Sequence, residues 1–190
     1  KTLKDLPLEE KKRIYVRGDL SKILAYEPGV TAQKIYAWNY RGSAPLYAVM
    51  ETVDPRNLKL GLDAVGYELP TILILSPELM EIIGYFVSDG HYTYKDLRIT
   101  VGDEYVAKRI EDLLNMLGVP YSWLRLELYG KTPQLVIGSR LLRLIFAHVF
   151  RIPAGASNKR LPSFVFGMPR EHRVALLSAL FNGDGYVIRG

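Results

Sequence analysis

Two short blocks with the same order of residue types constrain the fold of this chain more than any other feature. The first runs from Ile82 to Gly90 and the second from Leu177 to Gly185, and each ends in Asp-Gly after a helical apolar pattern. In each block two small residues stand four positions apart, so they share one face of the helix. Small side chains on one face let two helices approach to near backbone contact. The sequence therefore predicts two closely packed helices, each ending at an acidic residue.

The predicted seam between these helices is built from small residues, and an acid follows each small pair. The small pairs are Gly84 with Ser88 and Ala179 with Gly183, and the acids are Asp89 and Asp184. Ser76 is a suitable N-cap and Pro77 suits the first helical position, so we expect the first helix to begin here. Gly90 is expected to end it in the left-handed conformation. The alternative is that each block is an ordinary buried helix closed by an Asp-Gly turn.

The two blocks resemble the signature helices of the LAGLIDADG (DOD-type) homing endonucleases. The resemblance continues through Asn158-Lys159-Arg160-Leu161-Pro162 and Pro169-Arg170, which are similar to the linker before the second signature helix of single-chain members. It covers residues 68–190. The implied fold is α+β: an αββαββα unit followed by the second signature helix. The endonuclease region of an archaeal intein is one setting in which such a unit occurs.

The resemblance implies a site-specific endonuclease that hydrolyses phosphodiester bonds of double-stranded DNA. Asp89 and Asp184 would be its catalytic residues and would bind Mg²⁺ or Mn²⁺, since two carboxylates brought close together need a cation between them. The alternative is a DNA-binding protein that keeps this fold without cutting. Family members commonly place a basic residue after the second strand of each half, and here that position is Gly102. The two acids favour the endonuclease, and Gly102 favours the alternative.

The segment between the blocks has the pattern of two hairpins, each followed by a helix. We expect strands over residues 91–101 and 121–137, with helices capped by Asp103 and Ser139. The resemblance implies that the open face of this antiparallel sheet lies along the major groove. Its candidate DNA contacts are Tyr92, Tyr94, Arg98, Thr100, Trp123, Arg125, Tyr129 and Lys131. An ordinary sheet surface is the alternative for the aromatic members of this set.

The positive charge of the chain is concentrated in one segment. The formal net charge is +5, and residues 121–160 hold seven basic residues against one acid. Because this segment adjoins the predicted strands, we interpret it as a phosphate-facing surface that includes Lys159 and Arg160. A solvated surface is the alternative for such a run of charge.

Residues 1–66 are predicted to form a separate helical region, and residues 67–190 the endonuclease domain. The helices expected in the first region cover residues 20–26, 31–40 and 44–53. Their spacing is typical of a helix-turn-helix, whose second helix would present Lys34 and Arg41 to DNA. A small helical cap without a DNA role is the alternative.

Several classes of function are disfavoured. The absence of cysteine excludes disulfides and thiolate metal sites, and no apolar run is long enough to span a bilayer. We expect an intracellular, cytoplasmic protein with no membrane or small-molecule partner, monomeric when complete. The sequence supplies two signature helices but one sheet, so the repeat calls for about 80–100 further residues. The 190-residue chain is accordingly expected to bind DNA weakly and to lack specific double-strand cleavage.

Overall fold

The computed structural model describes residue 3 and residues 6–62, 67–125 and 127–184. The chain forms two compact units, Lys1–Ile74 and Leu75–Gly190. The fold mixes helices with antiparallel sheets, as expected for the α+β class. The predicted boundary at residue 66 lies outside the described residues. Within the described ranges, no helix is both long enough and apolar enough to cross a membrane.

The first unit is rich in strands. Its elements are α1 (Leu8–Lys11), β1 (Ile14–Gly18), β2 (Ile23–Tyr26), α2 (Ala32–Arg41), β3 (Ser43–Pro45), β4 (Val49–Thr52), β5 (Leu58–Leu62) and β6 (Leu69–Pro70). Four strands form an antiparallel sheet in the order β3-β1-β5-β6, and β2 pairs with β4. Ile14, Val16 and Leu60 are buried in its core.

The helix-turn-helix predicted for this unit is wrong. Residues 20–26 form a 3₁₀ turn and then β2, and residues 44–53 contribute to β3 and β4. The middle helix is confirmed as α2: Thr31 Oγ1 accepts the Lys34 N–H at 3.4 Å, and Gly42 ends it with φ 62°. Short apolar runs fit a helix or a strand equally well, and here pairing with distant strands decided between them.

The second unit contains the predicted helices and hairpins in the predicted order. Its elements are α3 (Pro77–Asp89), β7 (Gly90–Tyr92), β8 (Leu97–Thr100), α4 (Glu104–Met116), β9 (Ser122–Leu124), β10 (Gln134–Ile137), α5 (Arg140–Leu144), which continues as a π-helix (Ile145–Val149), and α6 (Arg170–Asp184). The antiparallel sheet has the order β7-β8-β10-β9. Helices α3 and α5 pack on β8, and α6 packs along α3.

The helix starts of this unit follow directly from local sequence. The side chains of Ser76, Asp103 and Ser139 each accept a backbone N–H bond from the residue three positions later, at 3.4, 3.0 and 3.1 Å. These bonds satisfy donors that have no partner inside the helix. The three predicted caps are therefore confirmed.

The sheet of the second unit has one covered face and one open face. Leu97, Ile99, Leu135 and Ile137 are fully buried and face the helices. Strand pairing places alternate residues together on the other face, where they are partly exposed. Those residues are His91, Arg98, Thr100, Gln134 and Val136.

Candidate functional site

The seam between α3 and α6 is close enough to require glycine at its centre. A Cβ added to Gly84 would lie 2.8 Å from the Cβ of Ala179 and closer still to the carbonyl oxygen of Leu176. Neither neighbour can rotate away, since one is a side chain of a single carbon and the other is backbone. The missing side chain of Gly84 therefore sets how closely the two helices approach.

At the C-terminal ends of α3 and α6, the seam brings Asp89 against α6. A Cβ added to Gly183 would lie 2.8 Å from Oδ2 of Asp89 and would overlap the side chain of Ser88. The Asp89 carboxylate thus lies against the last turn of α6 at Gly183, the residue directly before Asp184. Asp184 ends α6, and its side chain lies outside the described residues.

The donors at this end of the seam suit a hard divalent cation. Asp89 is partly buried at the end of α3, and α6 ends at a second acid beside it. Mg²⁺ prefers oxygen ligands and commonly uses one or two carboxylates with water and phosphate. Among the described side chains, no group of three or more His, Asp or Glu forms a metal cluster.

Gly90 does not take the left-handed conformation predicted for it. Its φ is −83° and its ψ is 158°, which is extended backbone, and β7 begins at this residue. A Cβ here would meet the Phe86 ring, with Cγ at 2.7 Å. The expected C-cap is wrong because the chain passes directly from helix to strand under that ring. Asp89 is consequently held at the junction of α3 and the sheet.

A group of basic side chains lies beside this junction. Lys159 is partly buried, and its Nζ donates a hydrogen bond to the Ser88 carbonyl at 3.0 Å. The same Nζ lies 5.8 Å from the centre of the Phe86 ring. Burial lowers the pKa of His91, and the positive charges of Arg98 and Lys159 lower it further. These contacts bring three basic residues to the end of α3.

Two of the aromatic residues predicted to contact DNA lie on the covered face of the sheet. Tyr92 donates its hydroxyl to the Ile152 carbonyl at 2.8 Å, and burial raises its pKa. Trp123 pairs with buried Leu135 and donates Nε1–H to Glu111 of α4 at 2.6 Å. The predicted orientation of both side chains is therefore wrong, because packing against helices determined which way each strand faces.

The other candidates of this sheet are partly or fully exposed. Arg98 and Thr100 lie on the open face, and Arg98 Nε donates to Asp96 at 3.0 Å. Tyr94 lies in the first hairpin turn, with the guanidinium of Arg140 5.4 Å from its ring centre. Two basic residues of the predicted DNA-contacting set, Arg125 and Lys131, follow β9 in the chain and are exposed. The Tyr129 side chain lies outside the described residues.

The first strand of the hairpin predicted over residues 121–137 is shorter than expected. It ends at Leu124, and residues 127–129 form a 3₁₀ turn in which Leu128 is 97% exposed. Sequence reasoning also missed Gln134 and Val136 on the open face. Gln134 and Val136 alternate with the apolar residue Leu135, and this alternation could have predicted that they share the open face.

The remaining predicted contacts lie outside this sheet. Arg160 is exposed in the segment before α6. Lys34 and Arg41 are exposed on α2, in the other unit, where Tyr36 and Tyr40 are 74% and 86% exposed. In that unit α2 is held by Trp38, whose ring centre lies 5.8 Å from that of Tyr26.

Comparison with known proteins connects this chain to small parts of much longer proteins. It is 26% identical over 186 residues to the DNA polymerase II large subunit of Thermococcus kodakarensis, which covers 93% of this chain and 10% of that protein. It is 22% identical over 158 residues to an uncharacterized protein of Methanocaldococcus jannaschii, covering 76% of this chain and 17% of that protein. A DNA polymerase of T. kodakarensis is 29% identical over 126 residues, covering 64% of this chain and 7% of that protein. No protein-family model matches. The chain thus spans less than a fifth of each of these relatives.

Proposed function

We propose that this chain is a LAGLIDADG-type endonuclease region that hydrolyses double-stranded DNA with a divalent metal ion. The observation that carries the proposal is the α3–α6 seam, which brings the Asp89 carboxylate against the last turn of α6, where Asp184 follows Gly183. Two acids at the joined ends of two helices are the chemistry that a phosphate-bridging cation needs. The adjacent open sheet face with basic side chains suits the groove of a duplex.

The comparisons support a transferable segment. The relatives include a DNA polymerase II large subunit, a DNA polymerase and an uncharacterized protein, and the shared region is a small share of each. A region that recurs as a small part of proteins with different names fits an inserted element better than polymerase machinery. An intein carrying an endonuclease is such an element, and we propose that setting for this chain.

In this proposal the side chains have two roles, metal binding and DNA positioning. Asp89 and Asp184 would hold Mg²⁺ or Mn²⁺. Such an ion activates water and stabilises the leaving oxygen during phosphodiester hydrolysis. Arg98 and Thr100 on the open face would orient the duplex. The tight packing around Gly84 and Gly183 holds the ends of the two helices close together.

A non-cleaving DNA-binding protein is the second candidate, and Gly102 favours it. Gly102 supplies no basic side chain next to β8, and its nearest neighbour, the Thr132 Cγ2, would lie 3.5 Å from an added Cβ. Nothing in the packing there requires glycine. The two candidates differ in whether the seam acids support cleavage, which is directly testable.

The test compares Asp89→Asn and Asp184→Asn with the parent in the full-length protein. Each variant is expected to abolish cleavage and to keep DNA affinity within about tenfold, since each removes a metal ligand but few phosphate contacts. The measurements are cleavage and nicking of a library of random target sites with Mg²⁺, and gel shifts at one fixed salt concentration. Asp112→Asn is the matched control, because Asp112 is partly exposed on α4 and pairs with Lys108.

The outcomes separate the two candidates. Parental cutting rates in either seam variant would show that the acids are not the metal site. A parent that binds DNA specifically but never cuts would instead establish the non-cleaving protein.

A further inference from the structure

Asp96 is an acid at the turn of the first hairpin, and it holds a base of the open sheet face in one orientation. Arg98 Nε donates to Asp96 Oδ1 at 3.0 Å, and the Asp96 side chain is 15% exposed. The same oxygen accepts the Thr93 hydroxyl, whose own oxygen accepts the Asp96 N–H at 3.1 Å. Arg143 of α5 donates Nε–H to the Thr93 carbonyl at 2.8 Å. The carboxylate is therefore anchored by the turn, and the turn is anchored by α5.

The guanidinium that Asp96 holds lies near the middle of the open face. Arg98 is on β8, an inner strand of the sheet, opposite His91 of β7 and Val136 of β10. Neighbouring strands lie about 4.8 Å apart, and the major groove of a duplex is about 12 Å wide. For a duplex lying along this face, an inner strand therefore faces the base edges, while the phosphates flank the groove.

The bond to Asp96 uses one donor of Arg98 and leaves the others for a ligand. A guanidinium has five N–H donors, and the four on Nη1 and Nη2 make no hydrogen bond with any residue that the structure describes. In the major groove guanine presents two acceptors, N7 and O6, to which arginine donates side by side. Adenine presents a donor, N6, in place of O6. A guanidinium fixed with its two terminal nitrogens forward is therefore selective for guanine.

A phosphate can also accept two N–H bonds from one guanidinium, but Asp96 disfavours that ligand. A carboxylate beside the arginine repels a phosphate and lowers the positive charge of the face. Its compensating effect is orientation, because a side chain already held in one rotamer loses less entropy on binding. Orientation matters for reading a base edge and matters little for attracting a polyanion.

We infer that Asp96 is a positioning residue that makes Arg98 select guanine at one position of the DNA target. The inference rests on the proposed function and adds one base to the description of the target. Asp96 itself touches no base and acts through Arg98. With its anchor in place, the guanidinium meets the guanine edge with both terminal nitrogens.

The test measures base preference in the full-length protein, with EDTA present so that no duplex is cut. A target is selected from a library of random duplexes, and each of its base pairs is then replaced by the other three. Arg98→Met removes the guanidinium, and Asp96→Ala removes only its anchor. Asp54→Ala is the matched control, since Arg56 Nε donates to Asp54 at 3.0 Å over the same two-residue spacing in the first unit.

In the parent, replacing one G·C pair should weaken binding by roughly 5–150-fold, the range for a bidentate contact with a base. Arg98→Met should lose the preference at that position and keep the others. Asp96→Ala should reduce the preference at the same position by about 2–12-fold, while its affinity for the replaced duplexes stays equal or rises, because a negative charge is removed. Asp54→Ala should match the parent at every position.

Other patterns would overturn the inference. If Arg98→Met weakens binding to every duplex by one factor, or keeps the guanine preference, Arg98 does not read that base. An unchanged preference in Asp96→Ala, even with a lower melting temperature, would leave Asp96 a structural role alone. If Asp96→Ala does not fold, Arg98→Met still decides, because the turn bonds do not involve Arg98.

Failure of the proposed function gives a separate result. A parent that selects one target but never cuts it with Mg²⁺ is not a nuclease, yet its base preferences still decide the role of Asp96. A parent that binds all duplexes equally defeats both the proposed function and the inference.

Discussion

Gly84→Ala is the substitution that most directly tests the seam between α3 and α6. The new Cβ would lie 2.8 Å from the Ala179 Cβ and closer to the Leu176 carbonyl oxygen. Non-bonded carbon atoms pack best at about 3.5–4.0 Å. Because both neighbours belong to the rigid body of α6, that helix must shift by most of an ångström to admit one methyl group.

The expected magnitude is the difference between two terms. Overpacking a tight interior contact costs about 1–3 kcal/mol. Alanine is favoured over glycine inside a helix by about 1 kcal/mol. We therefore expect Gly84→Ala to lower the free energy of unfolding of the second unit by up to about 2 kcal/mol, although alanine is the better helix former.

The assay is urea unfolding followed by tryptophan fluorescence. The chain has two tryptophans, one in each unit, so a Trp38→Phe background lets Trp123 report the second unit. Gly138→Ala is the control, since its Cβ would meet no atom within 4 Å and its backbone is not left-handed. Its stability should stay within about 0.5 kcal/mol of the parent.

A second substitution checks the geometry of the contact. Ala179→Gly in the Gly84→Ala background removes the contact between two Cβ atoms but leaves the one with the Leu176 carbonyl. Only part of the lost stability should return. The reasoning is refuted if Gly84→Ala alone makes the unit more stable by about 1 kcal/mol, as helix propensity without a tight seam predicts.

Two further substitutions each test one contact, the first in the second unit and the other in the first unit. Tyr92→Phe should cost about 1 kcal/mol of stability by removing the hydroxyl that donates to the Ile152 carbonyl at 2.8 Å, with no change in DNA affinity in gel shifts; weaker binding at full stability would restore the DNA-facing role predicted for Tyr92. Arg17, 2.9 Å from Glu68, lowers the pKa of that carboxyl, so its stabilising charge is present above the unfolded pKa and is lost as pH falls through the folded one. Glu68→Gln should therefore be less stable than the parent at pH 6, by under about 1 kcal/mol for a partly exposed pair, and equal to it near pH 2; a difference that grows on acidification would contradict this.

The elements that the sequence predicted well are those fixed by neighbouring residues. Ser76, Asp103 and Ser139 cap helices through bonds that span three residues, so each signal is local. The small residues of the seam were also evident, since their spacing places them on one helix face.

The elements that it predicted poorly depend on distant partners. Much of residues 20–26 and 44–53 is strand because β2 pairs with β4 and β3 pairs with β1. Trp123 faces α4 because Glu111 accepts its N–H at 2.6 Å, and the alternation of residue types in a strand does not reveal which face the helices will cover.

The sequence by itself determined the two helical blocks, their small faces and the acids that end them, because these features follow from periodicity and capping within a few residues. The tertiary structure decided the surroundings of the first acid. Gly90 is extended because β7 begins there. The Phe86 ring leaves no room for a Cβ at that position, and Lys159 reaches Ser88 across 71 residues. A contact of that kind depends on how whole elements pack, and no local pattern encodes it.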